Sequence, residues 1–160
     1  INVTPIRRLE FIAGKLVPFW ILSMVVFTIG MLVTRFIYGI VPAGSVLLLY
    51  GFGAVHLTAI LGLGLLISTI SETQQQSMFV SFFFMMVFIL LGGLFTSIDS
   101  MPVWAQALTY LNPVRYIIEV MRLVMLKGSG FHEIRFQFGV IAAMSLVLNT
   151  WAVLKYRKTS

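Results

Sequence analysis

The chain has 160 residues, 59% of them hydrophobic and only 10% charged, with a net charge of +6. Soluble domains carry about 25% charged residues, so a water-soluble globule is excluded and an integral membrane protein is expected. There is no cysteine, which excludes disulfides and thiolate metal sites. The basic residues stand at the ends of apolar runs, a pattern of membrane orientation rather than of nucleic-acid binding.

The chain opens INVTPIRRLEFIAGK. Its first residue is Ile1, and no secretory leader pattern follows, so it is expected to be a fragment, C-terminal to something or processed. Thr4 and Pro5 form a cap and a first-turn proline. Ile6, Leu9, Ile12 and Ala13 share a helical face, and Arg7, Arg8, Glu10 and Lys15 take others. Residues 1–15 therefore read as an amphipathic helix at a membrane surface or against a partner, or as the basic flank of the next span.

Residues 16–34 carry no charge. A span needs about 20 apolar residues to cross roughly 30 Å of hydrocarbon, and this run qualifies. Pro18 and Trp20 sit at its start, where a first-turn proline is tolerated and an indole favours the interface. After Arg35, the residues Tyr38, Gly39, Pro42 and Gly44 make a turn. The next charge is Glu72, and one tilted span over 45–70 fits this stretch best. Gly64 and Ser68 in it have the spacing of close helix packing. His56 is a functional suspect because polar side chains are costly inside a span. The plainer alternative is a neutral imidazole bonded to a neighbouring helix.

SETQQQS, residues 71–77, reads as a loop between antiparallel spans. A third span follows over 78–95, rich in Phe and Met and loosened at its end by Gly92 and Gly93. Its Phe and Met residues either line an apolar path or simply face lipid. The last uncharged run, 136–154, is the fourth span and carries Asn149 and Trp151. Lys155, Arg157 and Lys158 form a basic tail.

Between the third and fourth spans, residues 99–128 gather turn formers, aromatics and charges. Asp99 or Ser100 can cap a short helix near Pro102, with Trp104 just inside it. Leu111, Asn112 and Pro113 begin a second helix, with Asn112 as cap and Pro113 in the first turn. Gly128, Ser129 and Gly130 stop it. This helix would be about 21 Å long, too short to cross a bilayer. Arg115, Glu119 and Arg122 form one stripe along it that allows two ion pairs. A short helix with a charged stripe is expected to be re-entrant or interfacial. The fold expected is all-α: a polytopic membrane helix bundle of four transmembrane helices, with a short re-entrant helical hairpin between the third and fourth. Four spans put both termini on one side, expected to be the cytoplasm, with the hairpin outside.

No catalytic constellation is present. GFGAVH at Gly51 to His56 lacks the third glycine of a dinucleotide fingerprint, and no GxxxxGK[ST] phosphate loop occurs. His56 and His132 are expected at different depths, which argues against a metal site. His56 and Asn149 are the only polar candidates within spans.

VTPIRRLEFIAGKLVPFW (Val3 to Trp20), the span pattern and LNPVRYIIEVMRLVMLKG (Leu111 to Gly128) resemble the type-2 ABC transporter permease family. Within that family the chain looks most like bacterial inner-membrane permeases of the exporter, multidrug-type branch. The resemblance covers essentially the whole chain, with Thr4 to Ile6 and Leu111 to Pro113 as its specific parts. It implies that this chain is the C-terminal part of the permease transmembrane domain. It further implies a multi-pass inner-membrane subunit that carries no catalytic residue and no cofactor of its own. ATP would be bound and hydrolysed by a separate ABC ATPase subunit, met through Thr4, Pro5, Ile6 and Arg7. A second permease subunit, identical or different, would complete the pathway in the lipid bilayer. The hairpin residues Pro102, Trp104, Leu111, Asn112, Pro113, Arg115, Glu119 and Arg122 would form an extracellular gate. A non-transporting membrane scaffold or assembly protein is the alternative.

Overall fold

The computed structural model describes residues 7–156. Thr4, Pro5 and Ile6 lie outside the described residues, as do residues 157–160. The described chain forms six α-helices: α1 (Arg8–Phe36), α2 (Val46–Ile70), α3 (Gln74–Leu90), α4 (Val103–Thr109), α5 (Pro113–Lys127) and α6 (Phe131–Lys155). A 3₁₀ turn, Ile98–Ser100, precedes α4, and no strand occurs among the described residues.

The helices start where side chains satisfy orphan N–H groups. The Glu10 carboxylate accepts from the Arg7 N–H at 3.3 Å, Thr73 Oγ1 from Gln76 N–H at 3.1 Å, and Glu133 Oε2 from Gly130 N–H at 2.6 Å. Each bond closes a first turn that water would otherwise have to serve. Three boundaries near helix starts differ from expectation. The surface helix and the first span are one continuous helix, and Pro18 sits inside it rather than in its first turn. Neighbouring helices and local adjustment let membrane helices tolerate such a proline. The polar run 71–77 is mostly helical, because Thr73 caps and glutamines are good helix formers. Helix α6 begins at Phe131, since Glu133 lets the polar segment before residue 136 enter the helix.

Three helical stretches are long and apolar enough to cross a membrane: Leu9–Phe36, Val46–Ile70 and Phe131–Lys155. Helix α3 is also apolar but has only 17 residues, about 26 Å of rise. It ends at Leu90 instead of reaching 95. Gly92 and Gly93 follow, and Gly93 adopts a left-handed φ of 82° that an L side chain resists.

Helix α2 is the centre of the bundle. Its first half (Leu49, Phe52, Ala59) packs with Tyr116, Val120 and Val124 of α5 and with Ile134 and Ile141 of α6. Its second half (Leu65, Leu66) packs with Ile12 of α1 and Ala152 of α6. Helices α2 and α6 are therefore parallel, and α1 is antiparallel to both. The rings of Phe11 and Tyr156 lie 5.8 Å apart, so both ends of the described chain meet at one end of the bundle. The hairpin caps the other end.

Polar clips join the spans. Trp20 Nε1 donates to Ala54 O at 3.2 Å, so this indole ties α1 to α2. Tyr50 Oη donates to Thr28 Oγ1 at 2.9 Å. Asn149 Nδ2 donates to Thr58 O at 3.0 Å and to Ser145 O at 2.8 Å. The close approach of α2 and α6 runs over Gly62, where a Cβ would lie 2.6 Å from Asn149 Nδ2, and not over Gly64, where a Cβ meets nothing within 4 Å. Phe19, Leu22 and Val26 on α1 and Phe79, Phe82 and Phe83 on α3 are all more than half exposed. Apolar surface of this extent suits lipid or a partner, not water.

Candidate functional site: the hairpin and the groove beside it

Asn112 organises the hairpin. Its Oδ1 accepts from Val114 N–H at 2.9 Å, which caps α5, and Pro113 stands in the first turn. Its Nδ2 donates to Phe88 O at 2.8 Å, one of the carbonyls left open where α3 ends. A single buried carboxamide thus serves the orphan groups of two helix termini. At the far end of α5, Gly128 takes a left-handed φ of 68°, and its N–H and that of Ser129 return to Leu123 O. The next carbonyls of α5 are taken by the α1–α2 loop: Ala43 N–H donates to Met125 O at 3.0 Å and Gly44 N–H to Val124 O at 2.9 Å. Only glycine fits at 44, because a Cβ there would lie 2.8 Å from the Val124 carbonyl oxygen.

The charged stripe of α5 uses neutral partners. Arg115 Nη1 donates to Thr109 Oγ1 at 2.6 Å, and Thr109 Oγ1 donates to Gln106 O at 2.7 Å. The Arg115 guanidinium also stacks 4.3 Å from the Tyr110 ring centroid, a cation–π contact. Glu119 Oε1 accepts from Gln137 Nε2 of α6 at 3.0 Å. Arg122 Nη2 reaches Gly93 O at 3.5 Å. The spacing allows ion pairs along α5, but these side chains point to three different neighbours instead. Arg115, Glu119, Arg122 and Asp99 line one cleft of about 220 Å³, closed by Gly92, Gly93, Ser97, Ile98 and Ile118. Arg115 Nε and Gln137 Oε1 are buried without a partner.

Pro102 is the residue before α4 and offers no side-chain cap. Trp104 and Leu111 are exposed, Arg7 is exposed, and Asn112 and Pro113 are buried. Thr109, Gln137 and Ala43 were not singled out from the sequence, and Gly44 was read only as part of a turn, yet each belongs to the hairpin's bonding. Gly44 beside Pro42 carried the one readable signal, a turn glycine.

His56 and Asn149 are not brought together. Asn149 is committed to Thr58 and Ser145. His56 lies on the other side of α2, in the wall of a groove of about 390 Å³ between α2 and α3. No group of three or more His, Asp or Glu residues that could hold a metal ion occurs among the described residues.

A family model described as ABC-2 type transporter matches residues 2–126. The chain belongs to this family, as a type-2 ABC transporter permease. It is 37% identical over 128 residues to the probable multidrug ABC transporter permease YbhR of Escherichia coli strain K12, covering 80% of this chain and 35% of that protein. It is 34% identical over 160 residues to the probable multidrug ABC transporter permease YbhS of the same organism, covering 96% of this chain and 42% of that protein. A more distant similarity, 22% over 145 residues, links it to the linearmycin resistance permease protein LnrN of Bacillus subtilis strain 168, covering 89% of this chain and 37% of that protein. The chain therefore spans about two fifths of the length of these relatives. No solved structure matches it. As a permease of this family it is a multi-pass membrane protein, and permease subunits of this kind are generally not catalytic and work with an ATPase subunit.

Proposed function

We propose that the full-length protein is the transmembrane subunit of an ABC-type exporter in the bacterial inner membrane. It moves its substrate outward with ATP hydrolysed by a separate ATPase subunit. Helix α3 is the third of four spans, a short one, and the bilayer thins or the flanks adjust to meet it. Both termini face the cytoplasm, and the hairpin of α4 and α5 lies outside as a re-entrant gate. A second permease subunit, identical or different, completes the pathway. The segment Thr4 to Arg7 meets the ATPase.

The observation that carries this reading is the bonding of α5. Its start is tied to the end of α3 through Asn112, and its end is tied to the α1–α2 loop through Ala43 and Gly44. A shift of α3 against α1 and α2 must therefore move or break the hairpin. That is what a gate between inward-open and outward-open packings requires. The orphaned Arg115 Nε and Gln137 Oε1 support it: each costs about 1–3 kcal/mol unbonded, so an alternative packing that pairs them is within reach.

The test is purification of the full-length protein in mild detergent, with assay for an ATP-hydrolysing partner. An ATPase should come down with it, and charge reversal at Arg7 should lower substrate-dependent ATP turnover severalfold. Absence of any ATPase, or turnover indifferent to changes across residues 4–7, would leave the non-transporting scaffold as the correct reading.

A further inference from the structure

The groove between α2 and α3 is almost wholly apolar. Leu57, Ile60, Leu63 and Ile67 of α2 face Phe84 and Met85 of α3 across it, and no Asp, Glu, Lys or Arg lines it. Its two polar side chains are His56 and Ser81. His56 is 8% exposed, and its Nδ1 is buried with no hydrogen-bond partner. An imidazole always offers at least one donor, and when neutral one acceptor as well. Nδ1 itself is enclosed, so the Nε2 edge of the ring, which has no hydrogen-bond partner among the described residues either, is what a ligand in the groove can meet. From His56 to Ile67 the α2 wall runs about 16 Å along the helix axis.

We propose that this groove binds a neutral amphiphile taken from the surrounding lipid, whose single hydroxyl or carbonyl bonds to His56 while its apolar body lies along α2 toward Ile67. A charged ligand does not fit, because no counter-charge lines the groove and an unpaired buried ion is far costlier than a buried hydroxyl. A plain hydrocarbon would fill the space but leave His56 unpaired. The volume and the ratio of apolar wall to polar anchor are those of small-molecule sites. Gly64 keeps part of the wall open: a Cβ there meets nothing within 4 Å. The proposal names a substrate class for the exporter and so rests on that reading for its biological role, but binding itself requires no ATPase.

The experiment is photolabelling of the full-length protein in lipid nanodiscs with two diazirine probes of equal chain length, a long-chain alcohol and the corresponding alkane. Labelled peptides are mapped by mass spectrometry. The alcohol should label residues 56–67 and 81–89 saturably, about tenfold above the alkane. His56→Leu should abolish that preference while leaving alkane labelling intact, and His56→Gln, which keeps a donor and an acceptor, should restore most of it. Gly64→Leu, placed where there is room for it, should remove labelling by both probes. Equal labelling by alcohol and alkane, or an unchanged preference in His56→Leu, would overturn the proposal. Saturable labelling in a protein that recruits no ATPase would uphold the site and defeat the exporter reading. An ATP-coupled protein with no saturable labelling would do the reverse.

Discussion

Glu119 shows how a residue's partner sets the cost of losing it. In the stripe of α5 it stands between two arginines, and an ion pair would make neutralisation expensive. Its actual partner is the amide of Gln137, 3.0 Å away, itself a buried residue. Glu119→Gln keeps an oxygen acceptor and loses only the charge assistance, so it should cost at most about 1 kcal/mol. Glu119→Leu strands Gln137 Nε2 beside an Oε1 that already has no partner, and should cost about 1–3 kcal/mol. Denaturant unfolding of the two variants in detergent distinguishes the cases. An equal, large loss in both would mean that the negative charge matters.

At the scale of elements, the contact between α2 and α6 decides how the bundle packs. Without a hydrophobic drive between helices in lipid, small residues and inter-helix hydrogen bonds carry association. Gly62 and Asn149 supply one of each at the same point, and they compete for the same space. Gly62→Ala should push the Asn149 carboxamide off Thr58 O and cost about 1–3 kcal/mol, whereas Asn149→Ala should cost about 1 kcal/mol. The double variant should cost clearly less than the two together, because the missing carboxamide makes room for the new methyl. Gly64→Ala, with open space around it, is the neutral control. Additive losses in the cycle would show that the two side chains do not share that contact.

For the whole molecule, the parallel pair α2 and α6 and the antiparallel α1 bring Phe11 and Tyr156 together and leave the hairpin at the opposite end. If α3 completes the crossing, single cysteines at Ser100 and Tyr156 should react with a membrane-impermeant maleimide from opposite sides, Ser100 from outside in intact cells and Tyr156 only after permeabilisation. Reaction of both from one side would remove α3 from the set of spans. The proposed gate depends on this arrangement, since a hairpin on the ATPase side could not close an outer exit.

The sequence by itself determined the helical class, three of its four expected spans as long apolar helices, and the cap of α5. Each rests on local chemistry: apolar run length, side chains beside orphan N–H groups, and a left-handed glycine at 128. It also located the hairpin, because its charges interrupt otherwise uncharged stretches. Local rules misplaced boundaries where a cap outweighed polarity, at Thr73 and Glu133, and where no break signal separated the surface helix from the first span. What only the tertiary structure decided is which polar groups meet. Asn149 and His56 are equally conspicuous in the sequence, yet one is satisfied across α2 and α6 and the other is left open to a groove on the opposite face. Arg115, Glu119 and Arg122 have ion-pair spacing, yet they bond to Thr109, Gln137 and Gly93. Helical periodicity says which residues share a face, but the partner across that face is fixed by the packing of segments far apart in the chain.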